Sequence, residues 1–327
     1  MAKLSPLPLE SARALGRDYG IDVVAVEPLA LGSVNSNFRL KTADSRVFFA
    51  RIYEEQASAG AEREIELLSR LSAQGVPVVR PLPPGVRLCA EKPFAIFPWV
   101  DGDWLCLQRV GADSCRKVGQ ALARVHRAEI PDALLPDGRF RPVDMLARLE
   151  LVRATGPAEL AADVEVVRRK YAEYTPRRDA ALPGGVCHGD LFRDNVLWQG
   201  AEIAALLDFE SVCRGSYVYD LMVTVFAWCY RSALELDHAA AMVEGYLAVR
   251  PLSDGEWAAF EVESAFACLR FATTRMTDFE LRRENGAPPV RDFRRFLARL
   301  AAVEAGVLGE LRARVKRAPA GSGRTSR

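Results

Sequence analysis

The sequence lacks the cysteine spacing of a zinc site or of a disulfide framework. Its seven cysteines are scattered over 327 residues, and no two of them form a C-x-x-C pair. The simpler interpretation is a set of free thiols in a reducing cytoplasm. The first ten residues contain no apolar leader region, and no uncharged apolar run is long enough to span a membrane. We therefore expect a cytoplasmic protein that has no membrane partner.

A charge excess of either sign is also lacking. The 44 lysines and arginines nearly balance the 43 aspartates and glutamates, so the overall charge gives no reason to expect a nucleic-acid partner. Half of the residues are apolar, which is the proportion of an ordinary globular protein. A chain of this length can bury a large core and can hold two lobes. The sequence gives no signal for the oligomeric state.

The order of the predicted elements favours the α+β class, with a small antiparallel-sheet N-terminal lobe and a mainly helical C-terminal lobe. Short β-textured runs and one amphipathic helix fill the first third of the chain, and helices dominate the rest. We place the two lobes at residues 1–100 and 101–316. The last predicted helix covers residues 293–315. Residues 317–327 are rich in Ala, Gly, Ser and Arg and are expected to form a disordered tail.

A β-textured insert interrupts the helices and carries the most informative residues. It contains the pattern His-x-Asp-x-x-x-x-Asn, formed by His188, Asp190 and Asn195, and then an apolar strand that ends at Asp208 and Phe209. A tight loop can present Asp190 as the base that accepts the proton of an attacking hydroxyl, and Asn195 then returns to the same side as a metal ligand. A hairpin brings Asp208 back as an anionic ligand. The pattern predicts phosphoryl transfer with a divalent metal.

Each of these residues has a simpler interpretation on its own. A single aspartate in a loop is commonly a turn former, and a single asparagine commonly caps an element. The joint pattern, with its hairpin and its flanking apolar residues, favours the kinase interpretation. His188 is expected to orient the loop through hydrogen bonds and not to transfer a proton.

The chain resembles the aminoglycoside phosphotransferase/choline kinase-like superfamily over nearly its whole length, and within it the bacterial homoserine kinases of this fold. Five stretches carry the resemblance: Gly32–Phe38, Val118–His126, His188–Asn195, Tyr219–Leu221 and Leu269–Asp278. The resemblance implies a two-lobed protein-kinase-like fold, ATP and Mg²⁺ as cofactors, and a small-molecule hydroxyl acceptor as the partner. It also implies that Asp220 supports the catalytic loop from its helix.

By this resemblance the N-terminal lobe binds ATP. The loop over the phosphates holds a single glycine and no G-x-G-x-x-G motif, so its polar groups would supply the donors. Arg51 stands where the superfamily has a phosphate-binding strand lysine, and Glu64 would pair with it. An exposed strand arginine and a solvated helix glutamate are the alternative. The implied ATP-binding residues, which include an adenine hinge at Phe97–Trp99, are Ser33, Asn35, Ser36, Asn37, Arg51, Glu64, Phe97 and Trp99.

An acceptor site for homoserine would have to hold both a carboxylate and an ammonium. Arg270, Arg275 and Asp278 fall within nine residues of one predicted helix, and the last two share a face. Spacing alone favours a surface ion pair, whereas the resemblance favours acceptor binding, with Arg275 on the carboxylate. Glu210 is a further acceptor candidate. It follows Asp208, where the chain departs from the aromatic-rich run of the homoserine kinases.

The substrate stays open at this point. From Arg270 to the C-terminus, thirteen arginines and one lysine face six acidic residues, which argues against a polycationic acceptor such as an aminoglycoside. A homoserine kinase is the leading hypothesis. The alternatives are a kinase of another small alcohol (an aminoglycoside, a choline-like molecule or a sugar) and a non-catalytic nucleotide-binding relative.

Overall fold

The computed structural model describes residues 5–29, 34–138, 140–282 and 291–317. The chain divides into two compact units. The first unit holds the chain up to Trp104 and two later segments, Ala128–Leu134 and Val196–Glu210. The second unit holds Leu105–Arg127, Leu135–Asn195 and the chain from Ser211 onward. No helix within the described ranges is long and apolar enough to cross a membrane.

The first unit is built on a five-stranded antiparallel sheet in the order β1-β2-β3-β5-β4. Its strands are β1 (Val23–Leu29), β2 (Ser36–Thr42), β3 (Val47–Ile52), β4 (Arg87–Cys89) and β5 (Lys92–Pro98). Side chains alternate along β3, so that Phe48, Ala50 and Ile52 enter a core that also contains Ala12. The same alternation turns Arg51 to the opposite face of the sheet.

Two helices and a second small sheet complete the first unit. Helix α1 (Leu9–Asp18) precedes the sheet, and helix α2 (Ser58–Ala73) follows β3. Helix α2 buries Ile65, Leu68 and Leu71, as their spacing predicts, and also Glu64. The second sheet is antiparallel and consists of β6 (Asp103–Trp104), β8 (Val196–Gln199) and β9 (Glu202–Leu206). The hairpin of β8 and β9 ends just before Asp208.

The second unit is mainly helical, and the α+β class predicted from the sequence is confirmed. Its elements are α3 (Ala112–Arg127), α4 (Pro142–Thr155), α5 (Ala161–Tyr174), β7 (Gly184–Cys187), β10 (Cys213–Ser216), α6 (Tyr217–Trp228), α7 (Leu236–Leu247), α8 (Asp254–Ala258), α9 (Phe260–Arg275), α10 (Arg294–Glu304) and α11 (Val307–Arg317). Helices α3 and α7 approach closely at two glycines. A Cβ atom at Gly119 would lie 2.0 Å from the Met242 carbonyl oxygen, and one at Gly245 would lie 2.1 Å from that of Arg116.

The prediction of one helix over residues 293–315 is wrong, because the chain there forms α10 and α11. Gly306 separates them and has a φ of 87°, a left-handed conformation that ends helices and favours glycine. Of the predicted tail, Arg317 is the last residue of α11, and residues 318–327 lie outside the described part of the chain.

Candidate active site

The segment His188–Asn195, called the catalytic loop below, begins where β7 ends. Gly189 has a φ of 75°, and a Cβ atom there would lie 2.9 Å from the carbonyl oxygen of Ser211, so this turn requires glycine. The N–H groups of His188 and Gly189 donate to the two carboxylate oxygens of Asp220, at 2.7 and 2.8 Å. His188 is fully buried, and its Nδ1 accepts the N–H of Asp190 at 3.3 Å. The loop is thus tied to α6 through Asp220.

A buried network extends from Asp220 into the second unit. His126 Nε2 donates to Asp220 Oδ2 at 3.0 Å, and His126 Nδ1 lies 2.7 Å from the Tyr246 hydroxyl. Arg250 in turn joins Tyr246 and Glu256, at 3.2 and 2.8 Å. Burial lowers the pKa of His126. Burial would raise the pKa of Asp220, but the hydrogen bond from His126 and the loop N–H groups hold that pKa below its usual value. A neutral imidazole therefore donates to an ionised carboxylate.

Asp190 and Asn195 lie together in the catalytic loop. The Asn195 side-chain Nδ2 donates to the backbone carbonyl of Asp190 at 2.8 Å, and this contact uses the nitrogen end of the amide. The amide oxygen is then the end that can bind a cation. The Asp190 side chain is 31% exposed, so its carboxylate can be reached by a small molecule.

Arg270, from α9, contacts the predicted base directly. Its Nη1 donates to Asp190 Oδ1 at 3.3 Å. The guanidinium carbon lies 3.8 Å from the ring centre of Phe140 and 3.7 Å from that of Phe271, so two aromatic faces hold the cation. The side chain is only 3% exposed, and its Nε finds no hydrogen-bond partner among the described residues. The structure thus brings a buried cation with a spare donor beside Asp190.

In the first unit, Asp208 follows the β8–β9 hairpin in a strained backbone conformation. Its φ is 60°, a region that residues other than glycine seldom adopt. Aspartate tolerates this conformation better than most residues. The neighbouring Phe209 is buried, whereas the Asp208 side chain is exposed. Its Oδ1 accepts the N–H of Glu210 at 3.4 Å. The turn therefore buries the apolar residue and leaves the carboxylate accessible.

Arg51, on β3, lies among carboxylates of the first unit. Its Nη1 is 3.5 Å from Glu64 Oε1 and 3.7 Å from Glu210 Oε1, and its Nε donates to Asn37 Oδ1 at 3.2 Å. Burial would lower the pKa of Arg51, but Glu64, Glu210 and Asp208 raise it. Burial raises the pKa of Glu64 in spite of Arg51. The structure thus pairs Arg51 with Glu64 and adds Glu210, which the sequence had indicated for the acceptor.

The polar residues of the predicted phosphate loop are largely bonded within the first unit. Asn35 donates to Glu210 and accepts the Glu54 N–H at 3.1 Å. Ser36 donates to the Glu54 carboxylate, and Asn37 faces Arg51 across β2 and β3. Ser33 lies outside the described residues. Asn37 therefore contacts Arg51 directly, Asn35 contacts Glu210, and Ser36 bonds Glu54.

The predicted adenine hinge lies at the end of β5. Phe97 is buried and faces Phe49 on β3, with ring centres 5.8 Å apart. Trp99 is half-buried, its indole N–H donates to Asp101 at 3.0 Å, and Arg39 lies 4.9 Å from its ring. Strand β5 ends at Pro98, between these two residues, and the adenine hinge stays a prediction.

The other two acceptor candidates lie in different surroundings from Arg270. Arg275 donates to the backbone carbonyl of Asp292 at 3.0 Å and lies on the ring of Phe296. Burial and neighbouring arginines lower its pKa to about 10. Asp278 accepts from Arg148 at 3.0 Å. Arg275 and Asp278 thus have separate partners, and no ion pair joins them in the described structure.

Two residues around the catalytic loop have no role assigned from the sequence, although one of them, His126, ends a stretch that carries the family resemblance. His126 lies on the buried side of the amphipathic helix α3. A polar residue on an apolar helix face needs a buried hydrogen-bond partner, and this is the sequence signal that could have identified it. Phe140 lies in a connection without any periodic pattern, and its contact with Arg270 arises only from tertiary structure. Sequence spacing cannot show such a contact.

Comparisons with known proteins give the family of the chain and its fold. A family model described as "phosphotransferase enzyme family" matches residues 25–252. A homoserine kinase of Methylorubrum populi is 32% identical over 295 residues, which cover 85% of this chain and 88% of that protein. An amicoumacin kinase, solved in complex with AMP-PNP, Ca²⁺ and Ami, has a TM-score of 0.66 at 14% identity, and the match covers 92% of this chain and 94% of that one. A spectinomycin phosphotransferase has a TM-score of 0.68 at 13% identity, with 93% and 100% covered. These two structures show the fold alone.

Proposed function

The chain belongs to the phosphotransferase enzyme family, and we propose that within this family it is an ATP- and magnesium-dependent kinase of L-homoserine. The proposal rests on the similarity to homoserine kinases over most of both chains and on the residues beside Asp190. The reaction would move the γ-phosphoryl group of ATP to the side-chain hydroxyl of the amino acid, which gives O-phosphohomoserine and ADP.

Asp190 is the residue we assign to the acceptor hydroxyl. Its carboxylate is accessible, and the backbone around it is held by Asp220 and by Asn195. A positioned carboxylate can accept the hydroxyl proton as the oxygen attacks phosphorus. His188 uses its Nδ1 on the Asp190 N–H, so its role would be to orient the loop.

The metal ligands we assign are Asn195 and Asp208. An amide oxygen and a carboxylate are the hard oxygen donors that Mg²⁺ prefers, and the Asn195 hydrogen bond leaves its oxygen for this purpose. The metal would supply charge neutralisation for the phosphates. Arg51, Asn35 and Asn37 would bind phosphate oxygens on the nucleotide side.

The single observation that carries the choice of acceptor is the position of Arg270. A homoserine molecule whose hydroxyl lies at Asp190 must place its carboxylate a few bonds away. Arg270 is a buried cation within 3.3 Å of Asp190, with an Nε that has no other partner among the described residues. A charge-assisted hydrogen bond there would recognise the carboxylate. Arg275 remains the sequence-based prediction for this role, but its contacts are with Asp292 and Phe296.

An ATP-consumption assay with matched acceptors tests this function. L-Homoserine is compared with 3-aminopropanol, which is the same chain without the carboxylate, and with ethanolamine and an aminoglycoside, each with and without Mg²⁺. We expect turnover with homoserine that requires Mg²⁺ and only slow turnover with the others. Equal rates with homoserine and 3-aminopropanol would refute the homoserine assignment and leave the phosphotransferase assignment intact.

A further inference from the structure

Glu210 contacts three residues of the first unit: two through its carboxylate and one through its backbone N–H. Its Oε1 lies 3.7 Å from Arg51 Nη1 and accepts a hydrogen bond from Asn35 Nδ2. Its backbone N–H donates to Asp208 at 3.4 Å. The side chain is 17% exposed, so its charge is only partly screened by water. Glu210 is therefore part of the surroundings of Arg51.

Arg51 has more negative charge around it than it can neutralise. Glu64 and Glu210 approach the same nitrogen, Nη1, and Asp208 is close enough to raise the pKa of Arg51 further. One guanidinium thus serves three carboxylates. A phosphate oxygen that binds at Nη1 must share this nitrogen with Glu210 or displace it, because two carboxylates already approach it.

Glu64 and Glu210 differ in how easily each side chain can move away from Arg51. Glu64 is 7% exposed, lies on a long helix, and is also bonded to Tyr53 and Gln56, at 3.4 and 3.3 Å. Glu210 is more exposed and lies in the short turn after Asp208. Glu210 can therefore move from a more exposed position and without disturbing a long helix. Of the two carboxylates on Nη1, Glu210 is the one that can yield.

We propose that Glu210 is an internal competitor for the nucleotide phosphates: its carboxylate holds Arg51 and Asn35 and must give them up when a nucleotide binds. The inference rests on the proposed function for Arg51. It replaces the sequence-based expectation that Glu210 contacts the acceptor. Binding of a nucleotide without metal then meets both the competition for Arg51 and the repulsion between Glu210 and the phosphates. A metal ion relieves the repulsion, so Glu210 makes nucleotide binding more dependent on metal.

The test is the affinity for ADP in the absence of metal, measured by calorimetry with excess chelator. Glu210→Gln keeps the size of the side chain and its acceptor for Asn35 but removes the charge. We expect its Kd for metal-free ADP to be roughly tenfold lower than that of the wild type, because a like charge a few ångströms from the phosphates has been removed. Tighter binding is informative, since a merely loosened structure would bind more weakly.

Glu66→Gln is the matched control. Glu66 also pairs with an arginine of the first unit, Arg70, at 2.6 Å, but it is nearly half exposed on α2. This variant removes the same charge and should leave the Kd for ADP unchanged. A second variant, Glu210→Asp, keeps the charge but shortens its reach, and should tighten binding less than Glu210→Gln. It also tests the proposal if the glutamine variant fails to fold.

Three outcomes would overturn the proposal. If Glu210→Gln binds metal-free ADP as the wild type does and loses affinity only with Mg²⁺, Glu210 is a metal ligand. If ADP binding is unchanged and the KM for the acceptor rises, Glu210 belongs to the acceptor site. If the control Glu66→Gln gains the same affinity for ADP, the gain comes from the lower net negative charge of the protein and not from competition at Arg51. Failure of the wild type to bind any nucleotide would instead refute the proposed function itself.

Discussion

Two arginines, Arg51 (partly buried) in the first unit and Arg270 (buried) in the second, show how differently the same side chain can be accommodated. Arg51 lies near three carboxylates, so the negative charge around it exceeds its own positive charge. Among the described residues, Arg270 pairs with one carboxylate, Asp190, at 3.3 Å, and has two phenyl rings against its faces. The first cation is held by charge, whereas the second is held by aromatic packing with a single ion pair.

The surroundings of Arg51 and Arg270 suit the two guanidinium groups to different ligands. A guanidinium surrounded by carboxylates can release one of them to a phosphate without becoming unpaired. A guanidinium between rings keeps its orientation when its polar contacts change, so it can present a fixed donor to a small anion. Variants at these two sites and at their partners can test this contrast.

Removal of the carboxylate at Asp208 should have the largest effect. We expect Asp208→Ala to have no measurable turnover at physiological Mg²⁺, because the carboxylate that we propose as the anionic metal ligand is lost. Asn195→Ala should retain partial activity that rises with added Mg²⁺, because a neutral amide contributes less. Activity is measured against Mg²⁺ concentration. An unchanged apparent Mg²⁺ affinity in both variants would contradict the metal assignment.

Substitution of Asp190, the carboxylate that Arg270 contacts, should have the second largest effect on turnover. Asp190→Asn should lower kcat by roughly 10²–10⁴, the usual contribution of a general base. Circular dichroism should show an intact fold, since the side chain is partly exposed. Retention of more than about a tenth of the wild-type kcat would exclude Asp190 as the base.

Substitution of each arginine by glutamine compares the two environments through stability. Arg51→Gln leaves the nearly buried Glu64 without its cation, and we expect a loss of about 3 kcal/mol in the free energy of unfolding. Arg270→Gln leaves Asp190, which is 31% exposed and can be hydrated, so the loss should be smaller. Urea unfolding of both variants measures this difference. Equal losses would show that the contrast between the two sites has no energetic basis.

Arg270→Lys tests recognition of the acceptor. The lysine ammonium cannot reproduce a planar, ring-stacked donor, and loss of a charge-assisted hydrogen bond costs about 1.5–3 kcal/mol. We therefore expect kcat/KM for homoserine to fall roughly 10–150-fold. The loss on 3-aminopropanol should be slight, because that molecule has no carboxylate. Arg275→Lys is the matched control on the same helix, and a larger loss there would assign the carboxylate to Arg275.

The smallest effect concerns the support of the catalytic loop. Burial lowers the pKa of His126 in the folded protein, whereas the unfolded chain takes up a proton near pH 6.5. The unfolded state therefore binds more protons below that pH, and stability should fall as the pH falls from about 6.5 towards 5.5, by about 1 kcal/mol. His126→Gln should have a flatter dependence over this window. Parallel stability–pH curves for the two proteins would exclude this contribution.

The local chemistry of the site is readable from the sequence, but its long-range contacts are not. The spacing of Asp190 and Asn195 predicts their approach because both lie in one short loop, and the apolar strand before Asp208 predicts a hairpin. The contact between Arg270 and Asp190 joins residues that are 80 apart in the chain. It depends on the packing of α9, which periodicity alone does not orient.

Glu210 shows the same limit at shorter range. Its position after Asp208 indicates that it lies near the site, but the choice between the nucleotide and the acceptor depends on the direction of the turn. Asp208 adopts a left-handed φ of 60°, and the carboxylate of Glu210 then lies on Arg51. The direction in which such a turn places the next side chain cannot be read from residue spacing. The helix break at Gly306 has such a signal, since glycine favours the conformation found there.

The arginine at position 51 also has a consequence for chemical labelling. Reagents that deliver an acylating group on a nucleotide modify a protein by reaction with a nearby amine. A guanidinium stays protonated at neutral pH and is not a useful nucleophile, and the carboxylates around Arg51 raise its pKa further. If ATP binds beside Arg51, such a reagent would occupy the site reversibly and leave no covalent mark at this position. Arg51→Lys would convert the protein into one that the same reagent labels, and ATP would protect it.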